Sequence, residues 1–326
     1  MNKLIDTYGR LHNYLRISVT DRCNLRCVYC MPSDGIELKP HSEILSFEEI
    51  TKLAKLFAEL GVTKIRITGG EPLVRKNLSS LILSHKKIEG IKNVGITTNG
   101  ILLKNYVNDL KSAGLDGVNI SLDTLSKDKF RRITLRDNFD DVLSGINTAL
   151  HAGISPVKLN VVVMGGINDD EILDFVEFVK DKNLELRFIE YMPFKSNGWT
   201  NARFLPYSQM INLISSKYTL TPIENSESVA KNYTIKEFKG RIGFITSITE
   251  HFCSDCRRLR LTADGWLKTC LFFPAEKNLK ELIRSNTTDS ELKKVIVETL
   301  RQKKFMHPEI EELVNQENNS MIEIGG

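Results

Sequence analysis

Residues 14–30 read YLRISVTDRCNLRCVYC, a strand-like run that leads directly into three closely spaced cysteines. The first part, Tyr14–Thr20, is rich in apolar and β-branched residues, which favours a β-strand. Stretches with helical periodicity separate this run from later ones of the same kind. Regular alternation of strand and helix predicts a parallel sheet. The further strand-like runs are Lys64–Thr68, Val94–Thr98, Gly117–Leu122, Val157–Val163 and Glu185–Tyr191.

Two of the intervening helices have clear signals. Ser46 can cap a helix over Ser46–Leu60, because Glu49 stands three residues further on and Gly61 follows the end. Asp169–Lys182 places its apolar residues on one helical face. Weaker helical patterns occupy Lys76–Lys87, Leu102–Ala113, Lys127–Arg136 and Phe139–His151.

Right-handed crossovers could curl six such strands into a partial or full barrel, and an open doubly wound sheet would show the same pattern. Periodicity does not distinguish the two folds. In either fold the carboxyl ends of the strands form the expected ligand face.

The alternation stops after about Tyr191. Pro193–Arg203 is predicted to be a loop, and the tail from Asn315 to Gly326 is polar. Two hairpins and two helices are predicted in between. The hairpins are Lys231–Phe238 with Arg241–Ile248 and Leu259–Thr262 with Trp266–Thr269, and the helices are Glu276–Ser285 and Ser290–Lys304.

Composition excludes few classes of protein. A chain of 326 residues is one large domain or two ordinary ones. We expect neither a membrane span nor a secretory signal, since there is no run of about 20 apolar residues and the N-terminus is short and polar. A cytoplasmic location is therefore expected. A net charge of +4 is too small to predict nucleic-acid binding, and none is expected.

The six cysteines indicate metal binding, because a cytosolic protein is not expected to build a disulfide framework. Cys23, Cys27 and Cys30 form Cys-x3-Cys-x2-Cys at the end of the first strand. A structural zinc ion would need a fourth ligand. Three thiolates on a cubane of four irons leave one iron open to the amino and carboxylate groups of a small molecule.

A second triad follows near the predicted second hairpin. Cys253, Cys256 and Cys270 form Cys-x2-Cys-x13-Cys, and His251 could complete a zinc site instead. Arg258 and Arg260 would share one face of a strand. Two guanidinium groups there suit a polyanion, although a solvated edge strand is the ordinary alternative.

Several motifs resemble one family in their order along the chain. Asp21–Pro32 resembles the signature loop of radical S-adenosylmethionine (SAM) enzymes, and Thr68–Pro72 resembles the segment that binds the cofactor's methionyl amino group. The segment from Cys253 to Cys270 resembles the C-terminal part of the GTP 3′,8-cyclase family of molybdenum cofactor biosynthesis. The resemblance covers essentially the whole chain. One variation is Arg257, where a polar residue such as Asn is expected.

This resemblance implies a partial (β/α)6 TIM-like barrel over residues 1–192 and a C-terminal α+β region over residues 193–326. It implies two [4Fe–4S] clusters and S-adenosyl-L-methionine as cofactors. The implied reaction converts GTP to (8S)-3′,8-cyclo-7,8-dihydro-GTP through a 5′-deoxyadenosyl radical, the first step towards molybdopterin. An external electron donor, a homodimer and transfer of the product to cyclic pyranopterin monophosphate synthase are also implied.

The resemblance also assigns roles to individual residues. The first triad would hold the catalytic cluster and the second triad the other cluster. The Gly325-Gly326 tail would reach into the active site. The implied cofactor contacts are Tyr29 (to the adenine), Gly70, Ser121 and Met192, and the implied GTP contacts are Arg16, Arg66, Thr97, Lys158, Arg258 and Arg260.

Three other kinds of protein share some of these sequence features. A peptide-modifying radical enzyme usually carries more C-terminal cysteines than three. A ferredoxin-like electron carrier would not need six ligand-binding strands or the Gly-Gly-Glu-Pro turn. A zinc-ribbon nucleic-acid binder would hold zinc at the second triad.

Overall fold

The structure is a computed structural model that describes residues 3–32, 35–224, 229–315 and 319–325. Six parallel strands follow one another across its central sheet, each hydrogen-bonded to the next in the sequence. All six predicted strands are confirmed, with ends that differ by at most two residues. They are β1 (Tyr14–Ser18), β2 (Lys64–Thr68), β3 (Asn93–Thr98), β4 (Gly117–Ser121), β5 (Val157–Val163) and β6 (Glu185–Glu190).

Helices connect these strands as the alternation predicts. The capping box at Ser46 is confirmed, because the Ser46 hydroxyl accepts from the Glu49 amide and the Glu49 carboxylate accepts from the Ser46 amide. The predicted helix Asp169–Lys182 is shorter, with a 3-10 turn at its start. The helices are α1 (Phe47–Glu59), α2 (Leu78–Lys86), α3 (Leu103–Ser112), α4 (Lys127–Thr134), α5 (Phe139–His151) and α6 (Ile172–Val179).

The C-terminal strands extend the same sheet at both of its edges. β10 lies parallel to β1 and pairs antiparallel with β11, while β9 lies parallel to β6 and pairs antiparallel with β8. Both predicted hairpins are therefore confirmed. Over the described residues the order runs from β12 through β11, β10 and β1–β6 to β9, β8 and β7, which makes a partial barrel. The six strands are β7 (Leu220–Ile223), β8 (Lys231–Ile235), β9 (Arg241–Ile245), β10 (Arg258–Leu261), β11 (Trp266–Lys268) and β12 (Lys277–Asn278).

One sheet runs through both halves of the chain, so the sheet does not separate two domains. The predicted domain boundary between residues 192 and 193 stays a prediction. Among the described residues, five helices accompany the C-terminal strands, and two of them match the predicted helical stretches. The helix before β7 and the two last ones had not been predicted. None of the described helices is long and apolar enough to cross a membrane. The five are α7 (Tyr207–Ser215), α8 (Leu279–Arg284), α9 (Asp289–Arg301), α10 (Ile310–Asn315) and α11 (Met321–Ile324).

The two faces of the sheet differ sharply in polarity. In β1, Leu15 and Ile17 are fully buried in the apolar core between the sheet and the helices. Tyr14 and Arg16 alternate with them and line a cavity inside the barrel. Successive side chains of a strand point to opposite faces, so the barrel interior receives the polar set. The apolar core therefore lies outside the barrel, and its interior is free to hold a polar ligand.

Gly145 of α5 allows this helix to lie directly on the turn after β3. A Cβ atom at Gly145 would lie 2.3 Å from the Gly100 carbonyl oxygen and 3.3 Å from the Leu103 Cβ. Gly145→Ala should therefore lower the free energy of unfolding by about 1–3 kcal/mol, because overpacking outweighs the gain in helix propensity. Denaturant unfolding followed by circular dichroism measures this. Asn147→Ala, exposed on the same helix, is the control, and equal stability of the two variants would contradict the prediction.

Candidate active site

The barrel interior opens into one cavity of about 1450 Å³. Side chains from all six parallel strands and from the two cysteine-bearing loops line it. Every residue that the sequence assigned to a cluster, to the cofactor or to GTP lies on its wall. Those residues are Arg16, Cys23, Cys27, Tyr29, Cys30, Arg66, Gly70, Thr97, Ser121, Lys158, Met192, Cys253, Cys256, Arg258, Arg260 and Cys270.

The first cysteine triad is held by backbone contacts on both sides of its loop. The Arg26 amide donates to the Thr134 carbonyl (3.0 Å), and the Val28 amide donates to the Ile133 carbonyl (2.9 Å). The end of α4 therefore braces the loop from outside. The Cys30 amide donates to the Cys27 carbonyl within the loop. All three cysteines of the loop line the cavity.

Gly70 lies where the turn after β2 meets the cysteine loop. Its amide donates to the Thr20 carbonyl (2.8 Å), and the next amide, of Glu71, donates to the Arg22 carbonyl (2.8 Å). A Cβ atom at Gly70 would lie only 2.4 Å from the Arg22 carbonyl oxygen. Any side chain there would push the cysteine loop away, so glycine is required by this close approach.

Glu71 joins two of the turns at the carboxyl ends of the strands. Its carboxylate accepts from the Thr98 hydroxyl (2.7 Å) and from the Asn99 amide (2.6 Å). Burial raises the pKa of Glu71 to about 7, although these hydrogen bonds act in the opposite direction. Glu71 thus fixes the turn after β2 against the turn after β3.

Asp123 holds the aromatic ring of the cysteine loop. The Tyr29 hydroxyl donates to one carboxylate oxygen of Asp123 (2.6 Å), and the Val162 amide donates to the other (2.8 Å). Burial raises the pKa of Asp123 to about 6. Sequence reasoning gave Asp123 no role, although an acid two residues after the end of β4 was a visible signal.

The strand register brings like charges together inside the barrel. Arg16 is the direct register partner of Arg260 on one side and of Arg66 on the other. Tyr14 stands in the same way between Arg258 and Lys64. Adjacent strands lie about 4.8 Å apart, and like charges directly opposite each other are destabilising. The fold therefore concentrates positive charge at one end of the cavity.

Tyr14 partly offsets this charge. Its hydroxyl oxygen accepts from Arg66 Nε (2.9 Å), and the Arg258 guanidinium lies 5.8 Å from its ring centre. Burial alone would raise the pKa of Tyr14, but Arg66, Arg16 and Arg258 outweigh it and lower the pKa to about 6. Burial lowers the pKa of Arg16 to about 10 and that of Arg260 to about 9.

Lys158 has an ion-pair partner within the protein. Its ammonium lies 2.7 Å from the Glu185 carboxylate, which also pairs with Arg187 at 2.5 Å. Burial lowers the pKa of Lys158 to about 8, and the nearby Arg187 acts in the same direction. Arg187 and Tyr14 are cavity residues that sequence reasoning missed. The alternation of side chains along the strands was the sequence signal for both residues. It places them on the inner face of the barrel, together with the predicted contact residues.

The second triad is assembled by the β10–β11 hairpin. Cys253 and Cys256 precede β10, and Cys270 follows β11. His251 also lines the cavity, and its ring lies 5.3 Å from that of His307. Within the described residues, no three His, Cys, Asp or Glu side chains are grouped closely enough to bind a single metal ion.

The residues present fit iron–sulfur clusters. Each triad supplies three half-buried thiols to one cavity wall, and the thiolates of a cubane bind different irons. Burial raises the pKa of Cys30 to about 12 and that of Cys27 well above its ordinary value. These thiols are therefore protonated without metal, and a cluster would displace their protons.

The cavity also fits a large polar ligand. Several buried polar atoms on its wall have no hydrogen-bond partner among the described residues, and they include the Thr97 hydroxyl oxygen, Asn160 Oδ1 and Arg258 Nε. Buried polar atoms in native proteins are nearly always hydrogen-bonded. A ligand that presents both donors and acceptors would complete these contacts.

Comparison with known proteins places the chain in a family. Residues 17–179 match the family model of the radical SAM superfamily, and residues 184–309 match that of Molybdenum Cofactor Synthesis C. A mitochondrial GTP 3′,8-cyclase of Arabidopsis thaliana is 48% identical over 325 residues, which cover 99% of this chain and 83% of that protein. The GTP 3′,8-cyclase of Thermodesulfovibrio yellowstonii is 48% identical, with 91% and 94% covered. The chain belongs to the GTP 3′,8-cyclase family of radical SAM enzymes.

Other relatives of this radical SAM family are longer. Molybdenum cofactor biosynthesis protein 1 of Dictyostelium discoideum is 50% identical, and the chain spans 52% of its length. A crystal structure of Streptococcus suis SuiB bound to S-adenosylmethionine has a TM-score of 0.62 at 17% identity, covering 90% of this chain and 69% of that one. This likeness supports the radical SAM fold. Family membership also favours the radical-enzyme interpretation over the ferredoxin-like and zinc-ribbon alternatives.

Gly325 of this radical SAM chain lies at the carboxyl ends of β1 and β2. The Gly325 carbonyl oxygen accepts from the Thr68 hydroxyl (2.6 Å). With φ at +88°, Gly325 adopts a left-handed conformation, and a Cβ atom there would lie 2.4 Å from the Ser18 Cβ. Gly326 lies outside the described residues, so the predicted role of the double glycine stays a prediction.

We expect Tyr14 of the cluster-free chain to ionise at a much lower pH than an ordinary tyrosine. The lowered pKa of Tyr14, about 6 against an ordinary 10.0, means that the folded chain holds its phenolate above about pH 6. Tyr14 ionisation therefore stabilises the fold increasingly from about pH 6 to about pH 10. Ultraviolet phenolate absorbance measures the titration.

Tyr14→Phe should remove this low-pH step. Tyr29→Phe is the matched control and should retain it, because burial raises the pKa of Tyr29 well above the ordinary value. A step that survives in Tyr14→Phe, or that is missing from the unmodified chain, would contradict the assignment.

Proposed function

We propose that this chain is a GTP 3′,8-cyclase that carries two [4Fe–4S] clusters and uses S-adenosyl-L-methionine to convert GTP to (8S)-3′,8-cyclo-7,8-dihydro-GTP. The observation that carries the proposal is that a single cavity is lined both by two cysteine triads and by a group of Arg and Lys side chains. Family membership supplies the reaction, and the cavity supplies places for its cofactors and substrate.

The first triad would hold the cluster that binds S-adenosylmethionine through its open iron. When bound, this cluster and its cofactor would supply the 5′-deoxyadenosyl radical chemistry for ring closure between C3′ and C8 of GTP. Tyr29, fixed by Asp123, would present its ring to the adenine. Gly70 keeps the backbone free for the methionyl group. Ser121 and Met192, on the same wall, complete the proposed cofactor contacts.

The cationic end of the cavity would hold the triphosphate. Arg side chains offer planar donor forks that match phosphate oxygens, and each charge-assisted hydrogen bond is worth about 1.5–3 kcal/mol. Thr97 has an unsatisfied hydroxyl on the same wall. The purine would then lie towards the second triad, whose three thiolates would likewise leave one iron of a bound cluster open. The proposed triphosphate contacts are Arg16, Arg66, Lys158, Arg258 and Arg260.

The proposal extends to partners and location. The reaction needs an electron that neither GTP nor S-adenosylmethionine provides, so we include an external electron donor. A homodimer and delivery of the product to cyclic pyranopterin monophosphate synthase rest on the family resemblance. A cytoplasmic location is proposed from the sequence, whereas the Arabidopsis relative is named mitochondrial.

The substrate assignment is tested by one assay. Anaerobically reconstituted and reduced protein, carrying about eight irons per chain, is incubated with S-adenosylmethionine and each common nucleoside triphosphate in turn. We expect 5′-deoxyadenosine above background with GTP, measured by chromatography. Cys27→Ala should abolish it and leave about four irons at the second triad. No product with GTP above background would contradict the assignment, and zinc at the second triad would exclude two clusters.

Arg258→Ala should weaken GTP binding about tenfold to a hundredfold, because it removes a charged donor from the cavity wall. Isothermal titration calorimetry measures the change, while slow uncoupled cleavage of S-adenosylmethionine should persist. Arg132→Ala is the matched control, since Arg132 is exposed on α4. Unchanged GTP affinity in Arg258→Ala would place this residue outside the site.

A further inference from the structure

We propose that Lys303 is a positioning residue for the second cysteine triad, where its buried ammonium joins two of the ligand-bearing segments and sets the charge around their cluster. The proposal rests on the second cluster of the proposed function. It assigns a role to a residue outside both triads and outside the cavity wall.

Lys303 lies two residues after the end of α9, and its side chain is directed inwards. The residue is only 5% exposed. Its ammonium donates to the carbonyl of Thr269, the residue before Cys270, and lies 3.9 Å from Cys256 Sγ. The Lys303 ammonium therefore contacts one cysteine of the triad, Cys256, and the backbone next to another, Cys270.

No carboxylate in the described part of the chain pairs directly with Lys303, although burial raises the pKa of Glu276 and the charge of Lys303 acts to lower it. Among the described residues, no acidic oxygen lies within 4.0 Å of its ammonium. The neighbouring acid, Glu276, accepts hydrogen bonds from the amide and hydroxyl of Thr269 instead. Two further charged groups near Cys256, Arg10 and Arg258, are cations, and the Asp6 carboxylate nearby is paired with Arg10. A buried ammonium is costly unless a counter-charge is present, and thiolates of the second triad would supply it.

Arg10 fixes the position of Lys303. Its guanidinium donates to the carbonyls of Lys304 (3.0 Å) and Phe305 (2.5 Å), the two residues after Lys303. It also donates to the Cys253 carbonyl (2.6 Å), and the Asp6 carboxylate holds it at 2.6 Å. The N-terminal segment thus fixes Lys303 relative to Cys253, the third ligand of the triad.

The two triads differ in the charge of the donor beside them. Cys23 Sγ lies 3.9 Å from the neutral amide nitrogen of Asn99, whereas Cys256 Sγ lies at the same distance from an ammonium. Hydrogen bonds and nearby positive charge stabilise the more reduced, more negative state of a cluster and raise its reduction potential. Lys303 therefore makes the second cluster a poorer electron donor, which suits a cluster that holds substrate.

The test uses the full chain with Cys23, Cys27 and Cys30 all replaced by Ala, so that only the second triad can hold a cluster. Lys303→Met, Lys303→Gln and Lys303→Arg are compared with Lys303 in this background. The readouts are iron per chain after gel filtration and the midpoint potential from a redox titration followed by electron paramagnetic resonance. Neither GTP nor S-adenosylmethionine is added. Lys304→Met is the matched control, because Lys304 is exposed and only its backbone contacts Arg10.

We expect Lys303→Met and Lys303→Gln to shift the midpoint potential downwards and to lose iron from an initial value of about four per chain. Lys303→Arg should restore both values, and Lys304→Met should leave both unchanged. If the Met variant does not fold, the comparison of Gln with Arg decides.

Equal potential and iron content in Lys303→Gln and in the unmodified background would overturn the proposal, as would a Lys303→Arg variant that restores neither. Such a result would not change the outcome expected from the GTP assay. If the background with Lys303 intact binds no iron at all, the second cluster is absent, and that part of the proposed function fails together with the role of Lys303.

Discussion

The rest of the molecule depends on one constraint, which is the repulsion between positively charged side chains that the strand register holds next to one another. The register of β10, β1 and β2 makes Arg16 the neighbour of both Arg66 and Arg260. A (β/α) barrel normally fills its interior with branched apolar side chains. In β1 and β2 this barrel places them on the outer face, against the helices. The apolar packing outside must therefore hold together strands whose inner faces repel one another.

The turns at the carboxyl ends of the strands are built to withstand that repulsion. Gly70 lets the turn after β2 touch the cysteine loop, and Glu71 ties the same turn to the one after β3. Asp123 binds Tyr29 to the end of β4. Each contact joins two segments at the edge of the sheet where cofactor chemistry is proposed. Hydrogen bonds between loops therefore make this edge rigid. The side chains of the cavity wall are not needed for this purpose.

Local sequence patterns predicted the individual helices and strands. They could not predict which distant segments pair with one another. The six strands, both hairpins and the Ser46 capping box follow from periodicity and short-range signals, and cysteine spacing placed both triads. Nothing local indicates that β10 lies beside β1, because the paired residues are more than 240 positions apart. The same limit hid the ion pair of Lys158 with Glu185 and the contacts of Arg10. α11 has four residues, too few to show a helical period.

Internal counter-charges determine how such a cavity can select its ligand. Tyr14 accepts from Arg66, and Glu185 pairs with Lys158 and Arg187. A phosphate that enters must replace these contacts, so part of its interaction energy is offset by the protein contacts that it breaks. A ligand with one negative charge gains little from this exchange, whereas a triphosphate can satisfy several cations at once. The anions of the protein therefore act together with its cations in favouring a polyanion over a singly charged ligand.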